Sequence, residues 1–401
     1  MNIKRWLALG VFVCAFPLLT GCWDRLEIED RGAILGLAID PIEGEAQEGI
    51  TGPDARSDLS GYKLTAQVAI PGRIPLGPAG QGGGGGGEEQ RPVWVVSTIG
   101  KTVDDAMNNL QQELADKLFL GHLRIIIVNQ KLAQVTGIHD IQDFFRRNAE
   151  IRRLAWMAIS VGDASGTLSA APKLERVPTL YLTGTFDHAV AMGKMPNVFL
   201  GNFWSTLSSK GQDPVLPFIQ VEGDKVELKG LAVFHQDRMV GSLDSLETAA
   251  FMEITNQRRA GYGVAVPIPG DPKHSIIIKA YKRKAKIKMD MENGKPTFDV
   301  YSLIEANVEE KTGRKSVDDV IRQLGDDTAK NLATGQEKLI QKLQGLHCDV
   351  FGFGEYLRGR NPDYWKDIVG ESREKWDEQF AKTPVHVHVK VYIRRSGMST
   401  H

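Results

Sequence analysis

The sequence predicts an α+β, multi-domain protein with mixed and antiparallel sheets and helices packed on them. Three observations lead there. Short apolar runs of strand length are interspersed with helical periodicities through the first half. A long alternating segment meets its partner across Asn293-Gly294, a pair that supplies the positive φ angles of a tight hairpin. The last element alternates apolar and polar residues almost without a break. Strands and helices in this loose order fit a layered α+β arrangement better than a regular βαβ succession.

In the first half, residues 33–39 read as a buried strand, followed by strands at 62–70 and 93–99. The span 102–119 is predicted helical, because Val103, Met107, Leu110, Leu114 and Leu118 recur at three- and four-residue steps. A strand at 123–128, a helix at 138–148 with Ile141, Phe144 and Phe145 inward, and a strand at 155–161 follow. This order suggests a mixed sheet with helices on one side. Residues 167–216, rich in Gly, Pro, Ser and Thr, read as a boundary region with one short helix near 186–192. Gly82 to Gly87 are consecutive glycines, and Glu88, Glu89 and Gln90 after them supply no phosphate-binding Lys or Ser; 72–92 is expected to be a flexible loop.

A second unit is expected to start near Pro217. It contains strands at 227–235 and 239–243, a helix at 243–255, and the hairpin of 280–290 with 297–308. Ser316 and Asp319 form a capping-box pattern ahead of a long helix with Val320, Ile321, Leu324, Leu332, Leu339, Ile340 and Leu343 along its stripe. Gly345 ends it, an aromatic-rich stretch and a helical piece around Trp376 follow, and residues 385–394 make the final strand.

The chain has 401 residues, of which 42% are hydrophobic and 25% charged. Those values exclude a polytopic membrane protein, a disordered chain and a fibrous repeat. Lys plus Arg total 49 against 50 acids, a net charge of −1, so no global basic field exists and no nucleic-acid partner is expected. The N-terminus is more telling. Lys4 and Arg5 precede an apolar stretch at 6–19, shorter than the roughly 20 residues that span a bilayer, as in a secretory signal peptide. Leu19-Thr20-Gly21-Cys22 resembles a bacterial lipobox, the alternatives being an ordinary signal peptide followed by a chance Cys, or a short buried helix. Residues 1–21 would be removed by cleavage between Gly21 and Cys22, and Cys22 would carry the lipid. Once Cys14 is gone and Cys22 modified, only Cys348 remains, and a disulfide scaffold is impossible.

Candidate chemistry is sparse. His386 and His388 could share a metal on one strand face, but Lys390 beside them would repel a cation. Cys348 follows His347, yet strand neighbours point apart and no orienting acid is evident. Asp349 and Glu355 could pair as in glycosidases, as could many among 50 acids. No Gly-x-Ser-x-Gly elbow, His-Glu-x-x-His helix or paired cysteines occur, so no catalytic residue, cofactor or metal is expected. The row Lys282, Lys284, Lys286 and Lys288 reads as a solvated or edge-protecting strand face, with an anionic membrane surface as the alternative. Arg146-Arg147 and Arg152-Arg153 read as exposed charge. Phe351-Gly352-Phe353-Gly354 with Tyr356, Tyr364 and Trp365 reads as a small aromatic core reached by glycines, or else as a pocket.

Several stretches, in order, resemble the Ger(x)C spore germination lipoproteins. They are Cys22-Trp23-Asp24 with Leu26-Glu27-Ile28, Gly36-Leu37-Ala38-Ile39-Asp40, and Gly121-His122 before a hydrophobic strand. Asp143-Phe144-Phe145-Arg146-Arg147 with Glu150-Ile151-Arg152, then Gly230-Leu231-Ala232-Val233-Phe234 with Met239-Val240-Gly241, continue the match. Cys348-Asp349 with Phe351-Gly352-Phe353-Gly354, Pro362 and Trp365, and the last strand from Arg394 to Gly397, complete it. The resemblance implies germination domains at 22–200 and 215–397, with a division of the second near 310 left open. It also implies a non-catalytic, palmitate-type lipoprotein subunit of a spore nutrient germinant receptor, partnered with membrane-embedded A and B subunits. The subunit would sit on the outer face of the cytoplasmic (spore inner) membrane, held through Cys22. Whether it binds the germinant stays open. A solute-binding lipoprotein serving a transporter is the alternative.

Overall fold

The computed structural model describes residues 31–42, 61–70, 92–170, 175–257, 260–261, 263–313 and 317–395. The lipobox, Cys22 and all of the glycine-rich loop except Pro92 lie outside the described residues.

Two sheets carry the architecture. The first is nine-stranded, in the order β3-β2-β1-β5-β6-β7-β8-β9 with β4 on β1, from β1 (Arg31–Pro41), β2 (Tyr62–Ala69), β3 (Val93–Gly100), β4 (Lys117–Phe119), β5 (Ile125–Asn129), β6 (Trp156–Val161), β7 (Val215–Glu222), β8 (Lys225–His235) and β9 (Arg238–Leu243). Its centre, β1-β5-β6-β7, is parallel, and the flanks are antiparallel. The second sheet is β10 (Gly263–Ile268), β11 (Asp271–Glu292), β12 (Lys295–Lys311) and β13 (Val385–Arg395), with only the β12–β13 pair parallel. Asn293 takes φ 52° and Gly294 φ 76° at the β11–β12 turn, as the Asn-Gly pair predicts.

Helices cover both faces of the first sheet rather than one. Along β5 every residue is buried. Ile125 and Ile127 join one core while Ile126 and Val128 join the other. A parallel strand buried on both faces reads as a continuous apolar run, and so cannot announce which face a helix covers. One core is closed by α1 (Val103–Glu113), α2 (Gln130–Val135), α3 (His139–Arg147) and α5 (Leu200–Leu207). The other takes Leu182 and Phe186 of α4 (Pro178–Ala191) and Phe251 of α6 (Ser245–Ile254).

Three sequence expectations are corrected here. The helix predicted over 102–119 ends at Leu114, because Gln111 turns back to bind the chain beyond: its Oε1 accepts from Leu118 N and its Nε2 donates to Asp116 O. Residues 117–119 then pair with β1. The presumed boundary region holds two helices. Pro178 opens α4, and the buried Gln67 accepts from Thr179 N while donating to Leu168 O. Gly36 lets α4 press on β1, since a Cβ there would lie 2.6 Å from Thr179 Oγ1. The strands expected to open the second unit, β7 to β9, instead extend the first sheet through residue 243. The exposed edge of β6 takes β7 in parallel register, Ile159 opposite Phe218, which buries apolar residues on both.

The long helix is α7 (Val317–Gly345), with Leu324, Leu339, Ile340 and Leu343 inward as its stripe predicts. Gln336 sits fully buried in that stripe. It bridges Glu253 on α6 (2.8 Å) to Ser302 on β12 (3.3 Å), so a polar chain crosses the core fully partnered. Among the described residues no helix is long and apolar enough to cross a membrane.

Asp40 is the first sheet's buried polar anchor. Its carboxylate accepts from Asn129 Nδ2 (2.9 Å), Ala164 N (2.7 Å) and Ser165 N (2.9 Å), fixing the turn after β6. Asp40→Ala would strand three donors, and a loss of about 3 kcal/mol is expected in denaturant unfolding. Asp40→Asn should lose less, since an acceptor remains; equal losses would mean that the hydrogen bonds are not what Asp40 contributes.

Candidate functional site

The richest chemistry lies where the first sheet meets the C-terminal helices, and it begins with the order of residues after α7. Cys348 and Asp349 are fully buried. Gly352, at φ 81°, reverses the chain into α8 (Phe353–Arg360). Asp349 Oδ1 accepts from Phe351 N (3.1 Å) and Gly352 N (2.8 Å), and Oδ2 from Gly354 N (2.8 Å) and Trp376 Nε1 (3.0 Å). Complete burial pushes its carboxyl up to about 7 against the pull of those donors. The two glycines of the motif have different uses: Gly352 supplies the turn, while Gly354 permits contact. A Cβ on Gly354 would fall 2.5 Å from Trp376 Nε1 and 2.7 Å from Gly211 Cα.

Asp213, between α5 and β7, meets this loop. Its backbone N donates to Asp349 O (2.8 Å) and its Oδ2 accepts from Asp349 N (3.0 Å). Oδ1 accepts from Arg373 Nη1 at 2.6 Å and from Gln236 N at 3.2 Å. Arg373 opens α9 (Arg373–Phe380) and also donates to the carbonyls of Leu207, Ser209 and Gln212. One guanidinium thus neutralises a buried carboxylate and caps the C-terminal end of α5. Glu355 adds a second tie, accepting from Ser209 Oγ (2.5 Å) and Gly211 N (3.1 Å).

His235, at the end of β8, completes the knot. Its Nδ1 faces Asp213 Oδ2 at 3.7 Å and its Nε2 faces Asp377 Oδ2 at 3.8 Å. These are ion-pair rather than hydrogen-bond distances. The ligand atoms of Asp213, His235 and Asp377 lie within 4.8 Å of one another, a spacing that could hold a cation. The arrangement argues for a different occupant. Each ring nitrogen addresses a different carboxylate, and Arg373 already holds Asp213, so the positive charge is supplied by imidazolium and guanidinium. The nearby Asp213 carboxylate raises the His235 pKa despite partial burial. Burial raises that of Asp377, with the Asp213 charge adding to it.

The sequence candidates fall into place around this knot. The aromatic stretch is core: Phe353 stacks against Phe380 and contacts Phe298 and Phe351, and Trp365 meets Trp376. Cys348 is fully buried and donates from Sγ to Phe234 O, and burial pushes its thiol well up, while His347 beside it in sequence is exposed. Asp349 is committed to backbone donors and Glu355 to Arg358 and Ser209, which leaves neither for acid–base work. His386 and His388 lie on an exposed strand face, where His388 binds Asp299 at 2.7 Å and stacks on Tyr301. Arg146, Arg147, Arg152 and Arg153 are exposed, with Arg147 paired to Asp143. Sequence reasoning missed Asp213, His235, Arg373 and Asp377. They are single polar residues far apart in the chain, and only Asp213-Pro214 before an apolar strand offered a local hint.

Beside the knot, a cleft of about 440 Å³ opens between α5, the end of α6, β11 and the aromatic loop. Its lining combines amides (Asn197, Asn202, Gln257) with apolar Phe351 and Tyr356, and Asp213 forms part of its floor. A captured solute would have its natural place there.

Comparison with known proteins covers both sheets of this chain. Residues 24–221 match the family model "Spore germination protein N-terminal domain", and residues 229–397 match "Spore germination B3/GerAC like, C-terminal". Spore germination protein KC of Bacillus subtilis (strain 168) is 22% identical, over 99% of this chain and 97% of its own length. Spore germination protein B3 of the same organism is 25% identical over 94% of this chain and 95% of its own, and GerQC of Bacillus cereus is 23% identical over 99% and 100%. The crystal structure of the GerBC protein shares the fold, with a TM-score of 0.56 at 20% identity over 83% of this chain and 93% of that one.

Two outcomes follow from the knot. Arg373→Met leaves Asp213, whose side chain is 1% exposed, without its counter-charge, and a loss of about 3–5 kcal/mol is expected in denaturant unfolding. His235, Asp349 and Asp377 all have folded-state pKa values above their ordinary ones. Unfolding therefore releases protons, and stability falls as pH rises. For His235 the contribution is whole below 6.5 and lost above it, as pH passes the raised folded value. Thermal unfolding midpoints should drop as pH rises from about 4 to about 7, where Asp349 and Asp377 lose their protons, and further above 6.5 as His235 does. His235→Gln should flatten that drop, and an unchanged slope in the variant would show that His235 takes no part in it.

Proposed function

We propose a receptor role from one premise: the chain belongs to the GerAC spore germination family, and its function lies in spore germination. The protein acts as a non-catalytic, membrane-anchored subunit of a nutrient germinant receptor and works beside membrane-embedded A and B subunits. A lipid on Cys22 holds it at the outer face of the cytoplasmic, spore inner, membrane. The observation that carries this reading is a lipobox, Leu19-Thr20-Gly21-Cys22, placed directly ahead of the two germination domains.

The physical logic is that of tethering. Each buried methylene contributes about 0.8 kcal/mol, and two or more acyl chains give stable anchoring where one gives reversible binding. The anchored body then meets its partners at high effective concentration without needing a tight interface of its own. To transmit a trigger it must contact those partners with different energy in the resting and triggered states. The committed side chains of the buried knot support a body that acts through contacts rather than through bond chemistry.

Spores whose only copy carries Cys22→Ala are the test, with the protein quantified in membrane and soluble fractions. Lost nutrient-triggered germination with intact but soluble protein is the expected result. Full germination with the protein still in the membrane fraction would show that its partners, and not the lipid, hold it in place.

A further inference from the structure

We infer that the outer face of the second sheet is a docking surface for an anionic lipid bilayer. This stands apart from the lipid on Cys22, because it rests on the register of three strands. Directly opposed residues of a sheet share a face. From the hairpin end, the rows are Lys288, Asp299 and His386; Lys286, Tyr301 and His388; Lys284, Leu303 and Lys390; Lys282, Glu305 and Tyr392; Lys279, Asn307 and Arg394. The lysine row and the histidine pair, separate features in the sequence, are thus two margins of one surface.

Its charge is one-sided. Exposed Asp290 borders the rows at the hairpin end, opposite Thr297; within them Lys279, Lys282, Lys284, Lys286, Lys288, Lys390 and Arg394 stand against Asp299 and Glu305. Both acids are already engaged: Asp299 binds His388, and Glu305 binds Lys282 (3.3 Å), Tyr281 Oη (2.9 Å) and Arg394 (3.8 Å). Lys284 and Lys286 are exposed and form no ion pair among the described residues. The whole chain carries a net charge of −1, so this patch does not reflect a basic protein. It is a local field on a nearly neutral body, and such a field orients the body more than it recruits it.

The shape and the aromatic residues select a bilayer over an acidic protein segment. Same-face side chains repeat every ~7 Å along a strand and ~5 Å between strands, so the cations form a layer, not a ring around a concavity. Lysine dominates, a compact charge on a flexible stem that suits mobile headgroups, where a single carboxylate partner favours the arginine fork. Tyr281, Tyr301 and Tyr392 stand 39–46% exposed among the cations, and Tyr rings with an apolar body and polar tip favour the headgroup zone. Lys288 and Lys390 lie over the rings of Tyr301 and Tyr392, each 4.9 Å from the centroid, which holds charge and ring at one level.

The test is vesicle flotation of the chain from residue 22 onward carrying Cys22→Ala, so that no acyl chain contributes. The expected result is binding to phosphatidylglycerol-rich vesicles, none to phosphatidylcholine alone, and release by high salt. Each basic residue near an anionic leaflet strengthens partition about fivefold. Lys284→Gln, Lys286→Gln and Lys390→Gln together should therefore weaken it about a hundredfold, while the three Lys→Arg changes should retain it. Unchanged thermal midpoints would show that the variants fold. Equal flotation of the neutralised variant overturns the inference. So does absence of binding to anionic vesicles, and impaired germination of spores with the neutralised variant would then assign the face to an acidic protein.

Discussion

The C-terminal helices of this protein are held against the first sheet by one buried ion pair, Asp213 with Arg373. The two side chains are 1% and 11% exposed, and the 2.6 Å contact joins the entry of β7 to the start of the last helix. Taking such charges out of water costs several kcal/mol for each ion, so the pair is tolerable only with its remaining valences filled. Asp349 N, Gln236 N and the carbonyls of Leu207, Ser209 and Gln212 do that filling. The requirement propagates. Asp349 must come within hydrogen-bonding reach of Asp213, which forces Gly354 against Gly211, where neither can carry a Cβ. Trp376 is drawn in by the same carboxylate, and the aromatic cluster closes over it. An apolar contact of equal area would tolerate sliding by an ångström or two, whereas this one has a single register.

Much of this was legible in the sequence, and the reasons for the remainder are physical. The β11–β12 hairpin, the final strand and α7 were readable because period and turn chemistry act within a few residues. The first helix was overextended because Leu118 continues its apolar rhythm, although the strand 117–119 is what buries it. Strands β7 to β9 were read as opening a second unit because an apolar strand does not state its pairing partner. Only burial of β6 on both sides makes β7 its completion. The knot was invisible as a set. Asp213, His235, Arg373 and Asp377 are four common residues spread across the chain, and nothing in their local context distinguishes them from other acids and bases. Besides Asp213-Pro214, the glycines near Asp349 were a local trace, readable as permission for close approach but silent on what approaches.

The second sheet illustrates how pleating assigns two tasks to one strand. Along β11, Arg283, Ala285, Ile287 and Met289 turn inward and Lys282 to Lys288 turn outward. Arg283 is the exception on the apolar side, 3% exposed, and its presence there is instructive. It donates to Gln257 O (2.6 Å) and Gly193 O (2.8 Å), the chain segments just after α6 and α4. It therefore ties the sheet to the first half by carbonyls that would otherwise lack a donor. The inner face anchors, and the outer face is left to present charge.

These two arrangements bear on each other. A basic face can orient a body only if the body turns as a unit, and the joints between the halves decide that. The Asp213–Arg373 knot, the Glu253–Gln336–Ser302 bridge and Arg283 each cross between elements of the first sheet's half and the second. All three are buried polar contacts with directional geometry, so they resist rotation in a way that apolar packing alone does not. The cleft beside Asp213 lies between those joints, with its walls drawn from both halves. A change in how the outer face sits on its surface would thus turn the whole body, cleft included, without rearrangement within either sheet. Within the knot, a proton on His235 strengthens its attraction to Asp213 and Asp377 together. Proton uptake there strengthens a contact between β8 of the first sheet and α9 of the C-terminal half.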